Sequence, residues 1–222
     1  MYFCICLIIY VGVNLIIDSY RRDPDQWLQR PLPIGEDGKR ICCSVHYGGD
    51  EYVYHGETFH GARLDAFCGG IRMDVQPGDA VIATAAVRAE GTSREYAPLA
   101  YPAAADYYVT RALEETAVRL GLRHEIGVVQ CKDSFYGQHR PEVMPVAEEL
   151  KENWTAWKRL GVLASEMESA ALFVASAHLG VRCGAVLHVV WNQERAAAGI
   201  REESSTDTDG TLRIALEAIS SL

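Results

Sequence analysis

The 222-residue sequence has no Cys-x-x-Cys pair, no His-Glu-x-x-His run and no surplus of positive charge. Each absence argues against a class of function. The seven cysteines (Cys4, Cys6, Cys42, Cys43, Cys68, Cys131 and Cys183) are odd in number and irregularly spaced. That pattern disfavours zinc ribbons and thioredoxin-type redox chemistry, and fits free thiols in a reducing cytosol. His55 and His60 stand in a stretch with no other ligand spacing, so no metal site is expected. Lys and Arg together number 21 against 30 Asp and Glu, for a net charge of −9. Without a basic stripe to neutralise phosphates, nucleic acid is not an expected partner. Small anionic substrates need only a few local donors and stay open.

The chain also does not begin as secreted proteins do. Met1–Ile17 is apolar apart from Asn14, but has no leading Lys or Arg and no closing run of small residues. It falls short of the roughly 20 residues a spanning helix needs. The expectation is a cytoplasmic protein without a membrane anchor; a buried strand pair broken near Gly12 fits the same residues.

What is present is a globular composition, with 49% hydrophobic residues, on a length that suits one domain. Residues 19–70 are punctuated by Pro24, Pro31, Pro33, Gly35, Gly38, Gly48 and Gly49, with short strand-like pieces at Ile41–His46 and Tyr52–Tyr54. From Cys68 onward the pattern is regular. Strands are predicted over Ala80–Val87, Ile126–Cys131 and Val181–Trp191. Helices are predicted over Ala103–Leu120 and Pro145–Leu160, after Ser165 as far as Leu179, and over Leu212–Leu222. Strands alternating with helices indicate an α/β domain with a largely parallel sheet. In such sheets ligands bind beyond the strands' carboxyl ends. The loops Cys68–Ile71, Lys132–Arg140 and Asn192–Arg195 fall there.

The stretch Leu163–Leu179 is the most informative. Ser165 stands where an N-cap belongs, and Glu168 holds the capping-box position three residues on. Met167, Ala170, Ala171, Phe173, Val174 and Ala177 recur at helical spacing, and Gly180 closes the run. A cap needs one carboxylate, yet Glu166 and Glu168 flank Met167. Two acceptors beside an apolar contact suit a sugar, whose hydroxyls donate and whose ring face packs.

Four stretches then resemble the nucleoside phosphorylase family, most of all its uridine phosphorylase branch. They are Cys-Gly-Gly-Ile-Arg-Met-Asp-Val-Gln-Pro-Gly-Asp (68–79), Glu-Gly-Thr-Ser-Arg-Glu-Tyr-Ala-Pro (90–98), Lys-Asp-Ser-Phe-Tyr-Gly-Gln-His (132–139) and Ala-Ser-Glu-Met-Glu-Ser-Ala-Ala-Leu-Phe (164–173). Asn-Gln-Glu-Arg (192–195) adds a fifth. The resemblance implies a single three-layer α/β domain around a central mixed, largely parallel sheet, spanning 68–222. It implies phosphorolysis of uridine, and of deoxyuridine, to uracil and the sugar 1-phosphate. Orthophosphate is then co-substrate, no cofactor is needed, and the chain forms a homo-oligomer with sites shared between neighbours.

The same resemblance assigns roles. Glu168 would accept from the ribose 2′- and 3′-hydroxyls as the catalytic carboxylate, Met167 would pack on the sugar, and Glu166 would support that corner. Gln138 would hold the pyrimidine's amide edge, with Arg140 as a second base contact, Phe135 packing nearby and Gly69 letting the ring approach the backbone. Asn192 stands where purine-cleaving relatives tend to place a proton-donating Asp. An Asn cannot donate in that way, so with Gln138 it points to pyrimidines.

Residues 1–67 depart from the family. Arg22-Asp23-Pro24-Asp25 lacks the leading Gly and following Arg of the phosphate loop Gly-Asp-Pro-x-Arg. In the family's Arg-x-Gly-Thr run, the Arg position falls on Leu64 and the Thr position on Phe67, with Arg63 one residue out of register. A charged arginine–phosphate hydrogen bond contributes roughly 1.5–3 kcal/mol. One reading is a misframed segment or a truncated start ahead of an ordinary enzyme. The other is a weak or non-catalytic nucleoside-binding member; a nucleosidase is a further alternative. The abrupt change at one boundary favours the first.

Overall fold

The computed structural model describes residues 67–222 in full, and the backbone of Ile41–Ser44, Glu51–Tyr54 and Glu57–His60. The sequence-based expectations for Met1–Ile17, Arg22–Asp25, Arg63 and Leu64 lie outside the described residues.

The strands run β1 (Ile41–Ser44), β2 (Glu51–Tyr54), β3 (Glu57–His60), β4 (Phe67–Gly70), β5 (Ala80–Ala89), β6 (Ala103–Ala104), β7 (His124–Lys132), β8 (Ala164–Glu166) and β9 (Arg182–Asn192). The helices are α1 (Thr92–Tyr96), α2 (Tyr107–Leu120), α3 (Phe135–His139), α4 (Ala147–Arg159), α5 (Ser169–Leu179), α6 (Gln193–Ala197) and α7 (Asp209–Ile219). Seven strands form one mixed sheet in the order β1-β9-β4-β8-β7-β5-β6, and β5 pairs with β9 as well. The pairs β1–β9, β4–β9, β5–β7 and β7–β8 are parallel; β4–β8, β5–β6 and β5–β9 are antiparallel. The sheet is therefore mixed, and parallel pairing leads only narrowly.

Alternation along the strands sorts the core into two clusters. Val81 and Ala83 of β5 join Val129, Cys131, Ala164, Leu187 and Val189, together with Ala170–Val174 of α5. Ala80 and Ile82, pointing the other way, join Val109, Leu113 and Ala117 of α2 and Ile214, Ala215 and Ala218 of α7. This is the period-two pattern of a strand covered on both faces. Gly184 of β9 lets α2 approach closely: a Cβ there would stand 2.6 Å from Val109 Cγ1.

Local chemistry sets the element ends, and in several places it shifts the predicted ones. Asp106 caps α2, its carboxylate accepting from the amides of Tyr108 and Val109, so the helix starts at Tyr107. Ala103 and Ala104, predicted as its first turn, instead pair with Ala86 and Ala85 of β5. Gly121 and Gly180 end α2 and α5 in left-handed conformation, at φ 65° and 66°. Ser134 caps a short α3 inside the predicted loop 132–140, and Asn192 caps α6 at the start of the predicted loop 192–209.

The largest correction concerns Leu163–Leu179. Ser165 is not an N-cap but the middle of β8, paired with Gly69 of β4 and Gln130 of β7. The helix begins only at Ser169, and Glu166 rather than Glu168 satisfies its first amides. Strand pairing on both sides of β8 outweighs the local capping preference.

Candidate functional site

β4, β7, β8 and β9 bring the singled-out residues together. Gly69 lies on β4, Lys132 ends β7, Ser165 and Glu166 lie on β8, and Val190 and Trp191 close β9. With Phe135, Gln138 and His139 of α3, and Met167, they line a cavity of 450 Å³. Phe67 and Cys68 complete the wall. Phe67, at the family's Thr position, meets the His188 ring edge-on.

Glu166 is fully buried. Its Oε2 accepts from the amides of Glu168 and Ser169, both at 2.7 Å, at the positive end of α5. Oε1 has no partner among the described residues. Burial pushes the carboxyl above the usual range, while the two amides pull it back. Glu168 accepts from the Met167 amide at 3.2 Å, and its carboxyl is pushed up to about 7 by burial first and by Glu166 second. Met167 stays partly exposed at the rim.

Gln138 is buried, and its Nε2 donates to Gln193 Oε1 at 3.0 Å. Its own Oε1 has no partner among the described residues. The amide is thus fixed in orientation with its acceptor unused. A Cβ on Gly69 would stand 3.8 Å from Gln138 Nε2, inside the space beside that amide. Phe135 and His139 pack with ring centres 4.0 Å apart, and His139 lies 6.0 Å from Trp191, giving the cavity an aromatic side. Burial lowers the His139 imidazolium pKa.

Three predicted residues do not line the cavity: Glu168, which follows Met167 at the start of α5, Asn192 and Arg140. Asn192 is buried, but each of its polar atoms has partners elsewhere. Nδ2 donates to the carbonyls of Arg72 (2.9 Å) and Val75 (2.8 Å), and Oδ1 accepts from the amides of Glu194 and Arg195. It ties the β4–β5 connection to α6 and has no group left for a base. Gly70 makes room for it: a Cβ there would fall 2.6 Å from Asn192 Nδ2. Arg140 is exposed at the end of α3 and does not line the cavity.

The 90–98 stretch is likewise held from within. Arg88 is buried and bonds five acceptors: Ser93 Oγ, and the carbonyls of Ser93, Ala97, Pro98 and Tyr101. Glu90 accepts from the Ser93 amide.

Sequence reasoning missed Gln193, although it sits inside the quoted 192–195 run, and it missed Lys132. Lys132 is buried, and its Nζ donates to Ser165 Oγ, which donates in turn to Gln130 Oε1. A lysine ending an otherwise apolar strand was the available signal. Among the described residues no helix is long and apolar enough to cross a membrane.

The comparisons give the family. The phosphorylase superfamily matches residues 66–222. The uridine phosphorylase of Treponema pallidum (strain Nichols) is 52% identical over 175 residues, 79% of this chain and 64% of that protein. The chain therefore spans somewhat less than two thirds of that relative. The uridine phosphorylase of Escherichia coli (strain K12) is 33% identical over 191 residues, covering 82% of this chain and 76% of its own. The guanosine phosphorylase of Halorubrum lacusprofundi is 30% identical over 162 residues, covering 70% and 63%. On these matches the chain belongs to the phosphorylase superfamily and groups there with the uridine phosphorylases.

Proposed function

We propose that this chain cleaves uridine with orthophosphate, giving uracil and ribose 1-phosphate. One observation carries the reading: Gly69, Phe135, Gln138, Glu166 and Met167 line one cavity, in which Gln138 Oε1 and Glu166 Oε1 have no partner among the described residues. A buried polar atom without a partner costs about 1–3 kcal/mol, so a ligand that supplies the missing donors gains that much.

In this reading the uracil N3–H donates to Gln138 Oε1, and the ring lies over Gly69 against Phe135. The ribose packs on Met167, and its 2′- and 3′-hydroxyls donate to Glu168 in its ionised form. Glu166 holds the first turn of α5, and with it Met167 and Glu168, in place. A phosphate oxygen forms a bond to C1′ as the C1′–N1 bond breaks, and that electron pair passes to the base. The transition state carries positive charge on the sugar, which the two carboxylates stabilise electrostatically. Asn192 supplies no proton, in keeping with a pyrimidine leaving group. Orthophosphate is the only co-substrate, and no metal or organic cofactor takes part. The working form is a cytoplasmic homo-oligomer whose neighbours complete the phosphate site.

The test is uracil release from uridine with and without phosphate. Release that requires phosphate supports the reading; release indifferent to phosphate indicates a nucleosidase. Phe67 at the family's Thr position favours a second reading, a nucleoside-binding subunit, which binds uridine without turnover at any phosphate concentration.

A further inference from the structure

We propose that Lys132 is the cationic contact to the departing pyrimidine, donating to a ring carbonyl oxygen on which charge collects as the C1′–N1 bond breaks. The inference rests on the uridine reading above and concerns the same cavity.

Lys132 ends β7 at only 8% exposure and lines the 450 Å³ cavity beside Gln138. Its ammonium carries three donors. One goes to Ser165 Oγ; the other two have no acceptor among the described residues. Ser165 is fixed in turn, because its own proton goes to Gln130 Oε1. The relay sets the direction of the lysine while leaving donors free. No carboxylate among the described residues comes within 4.0 Å of Nζ to form an ion pair. The nearby Glu166 carboxylate is bonded to the first amides of α5 through Oε2 alone, and with Glu168 it attracts the ammonium from beyond ion-pair distance. A largely buried ammonium with no carboxylate in ion-pair contact is costly, and an anionic ligand in the cavity relieves that cost.

The chemistry of the cleavage supplies such an anion. The electron pair of the broken bond moves onto N1 and, by conjugation, onto the two carbonyl oxygens. Gln138 Oε1 can accept from N3–H but cannot neutralise that charge. Arg140 is exposed and does not reach the cavity. Among the described residues Lys132 is the lysine or arginine lining both this cavity and the adjoining 540 Å³ one, where Arg94 and Lys151 stand on the other walls. After cleavage, water protonates the uracil anion.

The test compares uridine with 5-fluorouridine, whose base is the better leaving group, in the wild type, Lys132→Met and Lys132→Arg. In Lys132→Met, kcat/KM for uridine falls about 100-fold, the scale of one lost electrostatic donor. The loss for 5-fluorouridine is several-fold smaller, and Lys132→Arg recovers part of the uridine rate. Equal losses on both substrates would show a structural role and overturn the proposal. A binding measurement on the wild type needs neither turnover nor a folded variant. At a pH where 5-nitrouracil is ionised and uracil is not, the nitro compound binds about tenfold more tightly, one charged hydrogen bond's worth. No preference for the anion overturns the proposal. A wild type that leaves uridine intact in phosphate refutes the uridine reading instead, and the anion preference still decides the role of the lysine.

Discussion

Asn192 and Gln138 are both buried side-chain amides near the ends of the same sheet, and they are treated in opposite ways. Asn192 has two acceptors for Nδ2 and two donors for Oδ1, all from the backbone. Gln138 is anchored through Nε2 alone, and its Oε1 is left without a partner among the described residues. Arg88 belongs with Asn192: five acceptors surround its guanidinium. Lys132 and Glu166 belong with Gln138: each is held by one side and open on the other. The lesson is that saturation separates scaffold from site. A fully bonded polar group fixes loops, whereas an unused donor or acceptor marks the site where it also lines the cavity; Glu90 Oε1 lacks a partner among the described residues but lies outside that lining.

That division can be broken by mutation, and the largest effect is expected on the saturated side. Arg88→Met leaves the carbonyls of Ala97 and Tyr101 without a donor among the described residues and takes a second donor from those of Ser93 and Pro98. It should destabilise the fold by about 3 kcal/mol or more, read as a lower denaturant midpoint. Gln138→Leu should do the reverse. Stability stays within about 1 kcal/mol, while kcat/KM for uridine falls about 100-fold, because the unbonded acceptor is removed from the ligand and not from the fold. A Gln138→Leu protein that unfolds as readily as Arg88→Met would erase the distinction.

The adjacent glycines sharpen it further. Gly70→Ala places a Cβ 2.6 Å from Asn192 Nδ2 and should destabilise by about 1–3 kcal/mol, seen as a lower Tm. Gly69→Ala meets nothing closer than 3.8 Å, so Tm should hold. The added methyl intrudes where the pyrimidine is proposed to lie, and KM for uridine should rise several-fold.

The smallest effect is a pH dependence. Glu168 titrates at about 7 in the fold, above its ordinary value of 4.5. The folded state therefore binds more protons than the unfolded chain between those values, so stability falls as pH rises through that window and levels off above it. Glu168→Gln should remove that decline and show a higher Tm than wild type at pH 8, while losing affinity for uridine. In the wild type, KM for uridine should rise as pH drops below 7, since the protonated carboxyl is the poorer acceptor. A Tm difference that is flat with pH would show that Glu168 titrates normally.

Much of this was legible in the sequence, and the exceptions have physical causes. The apolar runs predict β5, β7 and β9 to within two residues at each end, because periodicity and burial agree there. Gly121 and Gly180 are predicted as helix ends and adopt the left-handed conformation that glycine favours. Ser165 misleads because its local pattern is a sound capping box, while its neighbours in space, Gly69 and Gln130, make it a strand. Asn192 misleads in another way. Its residue type suits a base contact, and only its four backbone partners show that nothing is left over. Lys132 shows in the sequence only as a lysine ending a strand; its burial without an ion pair among the described residues depends on the fold. The convergence of residues 69, 135, 138, 166 and 167 came from their joint resemblance to one family, not from any residue alone.

The most direct measurement is a crystal structure of the full chain with uridine bound. The account predicts the base in the 450 Å³ cavity, its N3 within hydrogen-bonding distance of Gln138 Oε1 and the ribose hydroxyls on Glu168. Uridine seated elsewhere, such as in the adjoining 540 Å³ cavity with Gln138 Oε1 still unbonded, would contradict it.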